Sequence, residues 1–281
     1  MGMPPSAHER AFGLAYDELR ARWPGSTEER DVDTPYGPTR VHVHGPVDGP
    51  PLVLLPGGSA TGLVWFANAP ALGARYRVHA VDLLGDAGRT ERRGRPLKGA
   101  DDLTAWLDAL LDGLGLTRAH LCGHSYGAWL AARYALHAPE RVDRLALVDP
   151  TRVFAGFRPG YLLRALPVLT RPSEARARAF LAWETAGTRP DEAWQRLYAL
   201  ASTAPGRKLV AGGRPRVAGL RAPLLVLLAE RSRAHRAAEV ADRVRRTLPE
   251  AEVVLLPGAT HHSLPLTAPE RLDERLLAFL G

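Results

Sequence analysis

Leu121-Cys122-Gly123-His124-Ser125-Tyr126-Gly127 places a serine between two glycines, after a run of strand formers and before a helical pattern. Gly123 to Gly127 fits G-x-S-x-G. A chain that turns sharply from strand to helix forces its corner residue into a strained backbone conformation, and neighbours without a β-carbon relieve the crowding. The corner side chain then projects from the carboxyl edge of a sheet, beside a helix N-terminus whose N–H groups favour an anion. Ser125 is therefore expected to be an exposed, pre-aimed nucleophile. The helix expected after it, Tyr126 to Ala138, carries the small Ala128, Ala131, Ala132 and Ala135 to pack on the sheet.

Outward from this corner the pattern is regular. Apolar runs at Pro51 to Leu55, Arg77 to Leu84, Arg118 to Cys122, Arg144 to Val148, Pro223 to Ala229 and Ala251 to Leu256 read as strands buried on both faces. Thr39 to His44 alternates and reads as a further strand, with His42 and His44 as a solvent-facing pair. Helical stripes lie between the runs: Leu103, Leu107, Leu110 and Leu114; Val240, Val244 and Leu248; Leu272, Leu276 and Leu280. The last helix is expected to start from a capping box of Thr267 and Glu270. Alternating strand and helix implies an α/β fold with a doubly wound, mostly parallel sheet. Thr151 to Leu220 has no convincing strand and is too long for a bare loop. It reads as an inserted helical cap at 151–220, with helices at Tyr161 to Leu169, Ser173 to Thr185 and Asp191 to Ala201. The sheet core then comprises 1–150 and 221–281, with 1–30 an N-terminal helical extension.

Composition narrows the function. The chain of 281 residues is 46% hydrophobic and 24% charged, ordinary for a globular protein. It has no apolar run long enough for a membrane span and no basic-then-apolar start resembling a secretory signal. Cys122 is the only cysteine, which excludes an internal disulfide and a cysteine metal cluster and fits a cytoplasmic setting. The net charge of +7 raises nucleic acid or an anionic membrane as partners. Only Lys98 and Lys208 are lysines, and the arginines spread along the whole chain, as a GC-rich coding sequence would produce. The charge is therefore read as solvated surface, with neither nucleic acid nor membrane as a partner.

These residues resemble the α/β-hydrolase superfamily, from Arg40 to Gly281. Val81-Asp82-Leu83-Leu84-Gly85-Asp86-Ala87-Gly88-Arg89 is similar to that family's D-x-x-G-x-G-x-S segment, with Thr90 where serine is usual. The resemblance points to bacterial esterase or lipase-like members with a helical cap. It implies an oxyanion hole from the N–H of Tyr126 and that of Gly58, with Ser59 as alternate, since Leu54-Leu55-Pro56-Gly57-Gly58-Ser59 has proline in place of the family's histidine. It implies a general base in the loop after the last strand, where His261 aligns and His262 is next.

The acid departs from the family pattern. Its usual place, after the strand ending at Ala229, is Ser232. Asp149, at the end of the neighbouring strand, is the first substitute, and Glu230 is the alternate. The reading that follows is a serine hydrolase cleaving an ester of a small apolar acyl substrate, with no metal or organic cofactor. Ser59, His124, Phe154 and Trp183 are candidate pocket residues, among cap aromatics that include Phe157, Tyr161, Trp194 and Tyr198. Serine rather than aspartate as nucleophile disfavours dehalogenase or epoxide hydrolase chemistry. A non-hydrolytic homologue, motivated by Ser232, and a thioesterase or acyltransferase are the rivals. Oligomeric state, monomer or dimer, is open.

Overall fold

Residues 4, 6–185, 188, 190–210 and 212–281 are described by the computed structural model. Positions 1–3 and 5 of the expected N-terminal extension, and 186, 187, 189 and 211 of the expected insertion, lie outside the described residues. The chain runs α1 (Ala7–Arg20), β1 (Glu28–Val32), β2 (Thr39–His44), β3 (Pro51–Leu55), α2 (Ala69–Gly73), β4 (Arg77–Val81), α3 (Ala100–Gly113), β5 (Ala119–His124), α4 (Tyr126–His137) and β6 (Val142–Val148). It continues through α5 (Pro159–Thr170), α6 (Glu174–Glu184), α7 (Glu192–Thr203), β7 (Leu224–Ala229), α8 (Ala237–Thr247), β8 (Glu252–Leu256) and α9 (Pro269–Leu280).

The eight strands form one sheet in the order β1-β2-β4-β3-β5-β6-β7-β8. Pairs β1·β2 and β2·β4 are antiparallel; from β4 to β8 the sheet is parallel. The parallel strands β3 and β7 are apolar on both faces because helices cover both. Val53 and Leu55 of β3 point toward α3, α4 and α8, whereas Leu52 and Leu54 point toward α1, α2, α7 and α9. The chain leaves β3 for β4 on one side and returns to β5 on the other. The carboxyl ends of β3 and β5 therefore flank the topological switch point, where a crevice forms in such sheets.

Three details differ from the sequence reading. β1, Glu-Glu-Arg-Asp-Val, was not expected; it is an edge strand exposed at four of its five positions. His42 is not solvent-facing: it is fully buried, with Nε2 2.8 Å from the Tyr16 hydroxyl. Burial and nearby arginines lower its pKa to about 3. The capping box at Thr267 does not form, because Ala268 (φ 51°) turns the chain into α9 and the Thr267 N–H donates to the Ser263 carbonyl at 2.7 Å.

A buried carboxyl ties α9 to the start of α2. Asp273 of α9 accepts from the Asn68 amide at 2.7 Å, and burial raises its pKa from 3.8 to about 7. Between those values the folded protein holds a proton that the unfolded chain has released. Stability therefore falls as pH rises through that window and levels off above it. Asp273→Asn removes the ionisation. The melting temperature of the variant, relative to wild type, is expected to be higher at pH 8 than at pH 5 by differential scanning calorimetry. An equal offset at both values would contradict this.

Candidate active site

The register of β5 against β6 builds the site. His124 pairs with Val148, so the next residues, Ser125 and Asp149, stand side by side at the carboxyl edge of the sheet. Both leave their strands with positive φ, 53° at Ser125 and 41° at Asp149. The Ser125 N–H donates to the Val148 carbonyl at 3.0 Å and the Asp149 N–H to the Leu227 carbonyl at 2.7 Å, which fixes both corners. The flanking glycines are required by contact. A β-carbon at Gly123 would lie 2.4 Å from the Gly127 backbone, and one at Gly127 would lie 2.4 Å from the Leu55 carbonyl oxygen. Residues with φ near +53° carry strain that only such close packing maintains.

The loop after β8 carries His261 over this edge. Its Nε2 is 2.8 Å from the Ser125 hydroxyl and its Nδ1 is 2.5 Å from Asp149 Oδ2. With Nδ1–H donated to the carboxylate, Nε2 presents its lone pair to the serine O–H. Asp149 is fully buried and well satisfied. Its Oδ1 accepts from the Ala229 N–H at 2.9 Å, and its Oδ2 accepts from the Ser232 hydroxyl at 2.8 Å. The serine that occupies the family's usual acid position thus donates to the carboxylate on the neighbouring strand. Burial alone would raise the Asp149 pKa; the adjacent His235 and His261 outweigh it and hold the carboxyl well below its usual range.

Glu230, the alternate acid, faces elsewhere. It is exposed and accepts from the Gly258 N–H at 2.9 Å, bracing the turn after β8. His262, the alternate base, lies beside His261 with Nε2 3.4 Å from the Tyr198 hydroxyl and 3.5 Å from that of Tyr161; burial lowers its pKa to about 4.

Ser125 opens into a cavity of about 950 Å³, whose wall includes Gly58, Ser59, Tyr126, Tyr161, Tyr198 and His262. Phe157, Phe180, Leu162, Val168 and Leu209 extend its apolar lining. Of the expected pocket residues, Ser59 lines it, but its N–H donates to Asp86 at 2.8 Å and is not free for an oxyanion. Phe154 does not line the cavity; it is buried in the core on the α8 side, and its carbonyl accepts from Arg243. Trp183 does not line it either. The Arg164 and Arg233 guanidinium groups lie over its ring, at 5.7 and 4.7 Å. His124 sits behind the site, with Nε2 3.0 Å from the His261 carbonyl oxygen, and is held neutral by burial.

Three participants were not anticipated. Glu184, at the end of α6 and fully buried, accepts from the N–H of His261 at 3.0 Å and of His262 at 2.8 Å. One carboxylate thus grips two successive amides of the histidine loop. His235 places Nε2 3.1 Å from Asp149 Oδ1. Burial opposes its protonation, but the Asp149 carboxylate outweighs burial and raises its pKa. Arg207 bridges Asp86 and the Ser59 hydroxyl, each at 2.8 Å, beside the loop that follows β3. A single Glu at a helix end, or a lone Arg or His in a loop, gives no local signal; only the pairing in space reveals them. No group of metal-binding side chains occurs among the described residues.

A nucleophile elbow, a switch-point crevice and a histidine arriving after the last strand define one class, and the sequence profile of the alpha/beta hydrolase family matches residues 52–275. The chain belongs to that family. Among curated relatives it is 30% identical to carboxylesterase YbfK of Bacillus subtilis (strain 168), over 96% of this chain and 93% of the relative. Among solved structures it is similar to carboxylesterase CesB (YbfK) of Bacillus subtilis, at a TM-score of 0.91 and 26% identity, covering 98% of this chain and 99% of the other. It is likewise similar to naproxen esterase of Bacillus subtilis, at a TM-score of 0.90 and 25% identity, covering 99% and 100%.

Proposed function

We propose that the chain is a serine carboxylesterase that hydrolyses esters of apolar acyl groups, with Ser125 as nucleophile, His261 as general base and acid, and Asp149 as the orienting carboxylate. The observation that carries this is the unbroken line of three side chains, 2.8 and 2.5 Å apart, opening into an apolar cavity. Ser125 attacks the ester carbonyl as His261 Nε2 takes its proton. The developing oxyanion is received by the N–H groups of Tyr126 and Gly58, both on the cavity wall. The imidazolium, stabilised by Asp149, then protonates the leaving alcohol, and water enters by the same steps in reverse to release the acid.

The relatives named carboxylesterase support this reaction class. The non-hydrolytic alternative rested on Ser232 and loses its ground, because a carboxylate reaches the ring from β6 instead. Residues 151–220 act as a cap over the crevice, and their aromatic and aliphatic side chains select an apolar acyl group. The lone, buried Cys122 suits a cytoplasmic setting. A fluorophosphonate probe is expected to label Ser125, located by peptide mass spectrometry. Labelling elsewhere, or none alongside no turnover of p-nitrophenyl butyrate, would end this reading.

Glu184 acts as a positioning residue for the base. In Glu184→Gln one amide N–H of the loop faces an NH₂ group instead of an acceptor, and the loop shifts. A displacement of about an ångström at the base lowers kcat roughly 10- to 100-fold, whereas KM, set by the cavity wall, changes little. The wild-type and variant kcat and KM on p-nitrophenyl butyrate, with melting temperatures measured in parallel, check this. A KM rise with unchanged kcat would place Glu184 in substrate binding instead.

A further inference from the structure

The surface beside the cavity mouth is built unlike the rest of the molecule. Helix α5 reads P-G-Y-L-L-R-A-L-P-V-L-T, with only Arg164, Thr170 and the Tyr161 hydroxyl polar. A helix apolar all round is normally buried. Here Tyr161 is its only buried residue, and Leu162, Leu163, Leu166 and Leu169 are 47, 72, 50 and 72% exposed. Seven large apolar side chains are exposed among the described residues; these four and Leu209 account for five. Clustering of that kind marks a binding surface rather than scattered apolar exposure. The patch is also continuous with the active-site cavity, since Leu162, Ala165, Val168, Leu169 and Leu209 line its wall.

The charge around the patch is one-sided. Between residues 150 and 183 the chain carries Arg152, Arg158, Arg164, Arg171, Arg176 and Arg178 against a single acid, Glu174. All of these arginines except Arg152 are exposed, and Lys208 is exposed beside Leu209 across the mouth. An even spread of arginine over the whole chain conceals this local excess.

We propose that the α5 face is a docking surface for an anionic lipid bilayer, seating the cavity mouth on the membrane. The leucines enter the boundary between headgroups and acyl chains, and the arginines meet the lipid phosphates. The charge argues for this occupant over a second copy of the chain. A two-fold pairing through α5 would set Arg158, Arg164 and Arg171 against the same residues of the partner. Docking is peripheral, because no helix among the described residues is long and apolar enough to cross a membrane. That an acyl lipid drawn from this surface is cleaved at Ser125 rests on the esterase reading; the docking itself does not.

The test is co-sedimentation of the full chain with vesicles, either of phosphatidylcholine alone or with about one third phosphatidylglycerol. Wild type is expected to partition onto the anionic vesicles about tenfold or more over the neutral ones, with the difference lost at high salt. The double substitution Leu163→Glu, Leu166→Glu lowers that partitioning by about tenfold or more, and so does Arg164→Glu with Arg171→Glu. None of these four side chains lines the cavity, so turnover of p-nitrophenyl acetate in solution stays at the wild-type rate and reports intact folding. Ser125→Ala binds vesicles like wild type, which separates failure of docking from failure of the esterase reading. Equal partitioning of wild type onto both vesicles, or variants that bind like wild type, overturns the proposal. A wild-type dimer in sedimentation velocity that Leu163→Glu, Leu166→Glu converts to monomer also overturns it, and assigns the face to a second copy.

Discussion

Ser125→Ala is expected to lower kcat on p-nitrophenyl butyrate by roughly 10⁴- to 10⁶-fold, while substrate still binds. The loss is large because the hydroxyl is, among the described residues, the only group that both faces the cavity and lies within 2.8 Å of the His261 ring nitrogen. Alanine at φ 53° carries the same backbone strain as serine, so the corner and the N–H of Tyr126 stay in place. What remains is whatever the oxyanion donors contribute to direct attack by water. A variant turning over within tenfold of wild type would move the chemistry to another residue, since so small a loss corresponds to only about 1.4 kcal/mol of transition-state stabilisation.

Asp149→Asn is the second large effect, an expected fall of about 10⁴-fold in kcat. The argument concerns tautomers. Oδ1 keeps the Ala229 N–H, so the amide nitrogen takes the place of Oδ2 and points at His261 Nδ1. The ring then accepts through Nδ1 and carries its proton on Nε2, where it cannot take one from Ser125. The same substitution leaves the Ser232 hydroxyl without its acceptor. Glu230→Gln, whose side chain braces Gly258, is the control and retains wild-type turnover. Loss of activity in Glu230→Gln with a normal Asp149→Asn would reverse the assignment. Steady-state kinetics on both purified variants, checked for folding by circular dichroism, decides it.

What could be read from the chain follows the physics of each element. The central strands were legible because a strand covered on both faces must be apolar throughout, and Leu224–Ala229 is buried at every position. β1 was not legible, because an exposed edge strand carries no such pattern and Glu-Glu-Arg-Asp-Val reads as loop. The corner at Ser125 was legible because the strand-to-helix turn is local: Gly123 answers to the backbone of Gly127 and Ala128, within five residues, although Gly127 answers to Leu55 on the neighbouring strand. The carboxylate facing His261 remained a choice among residues, since β6 and β7 both end at the same edge and only their pairing brings Asp149 within 2.5 Å of His261. Glu184 and His235 gave no local sign; their partners lie 77 and 86 residues away along the chain. Aromatic residues in the insertion could be counted but not aimed, so Phe154 and Trp183 were assigned to a wall that Phe157 and Phe180 occupy.

The Glu184 carboxylate ties the end of α6 to the backbone that presents the His261 imidazole. If α6 swings outward, both hydrogen bonds to His261 and His262 break together, and the base loses its alignment in the same motion that admits solvent. An open molecule is therefore also a disarmed one.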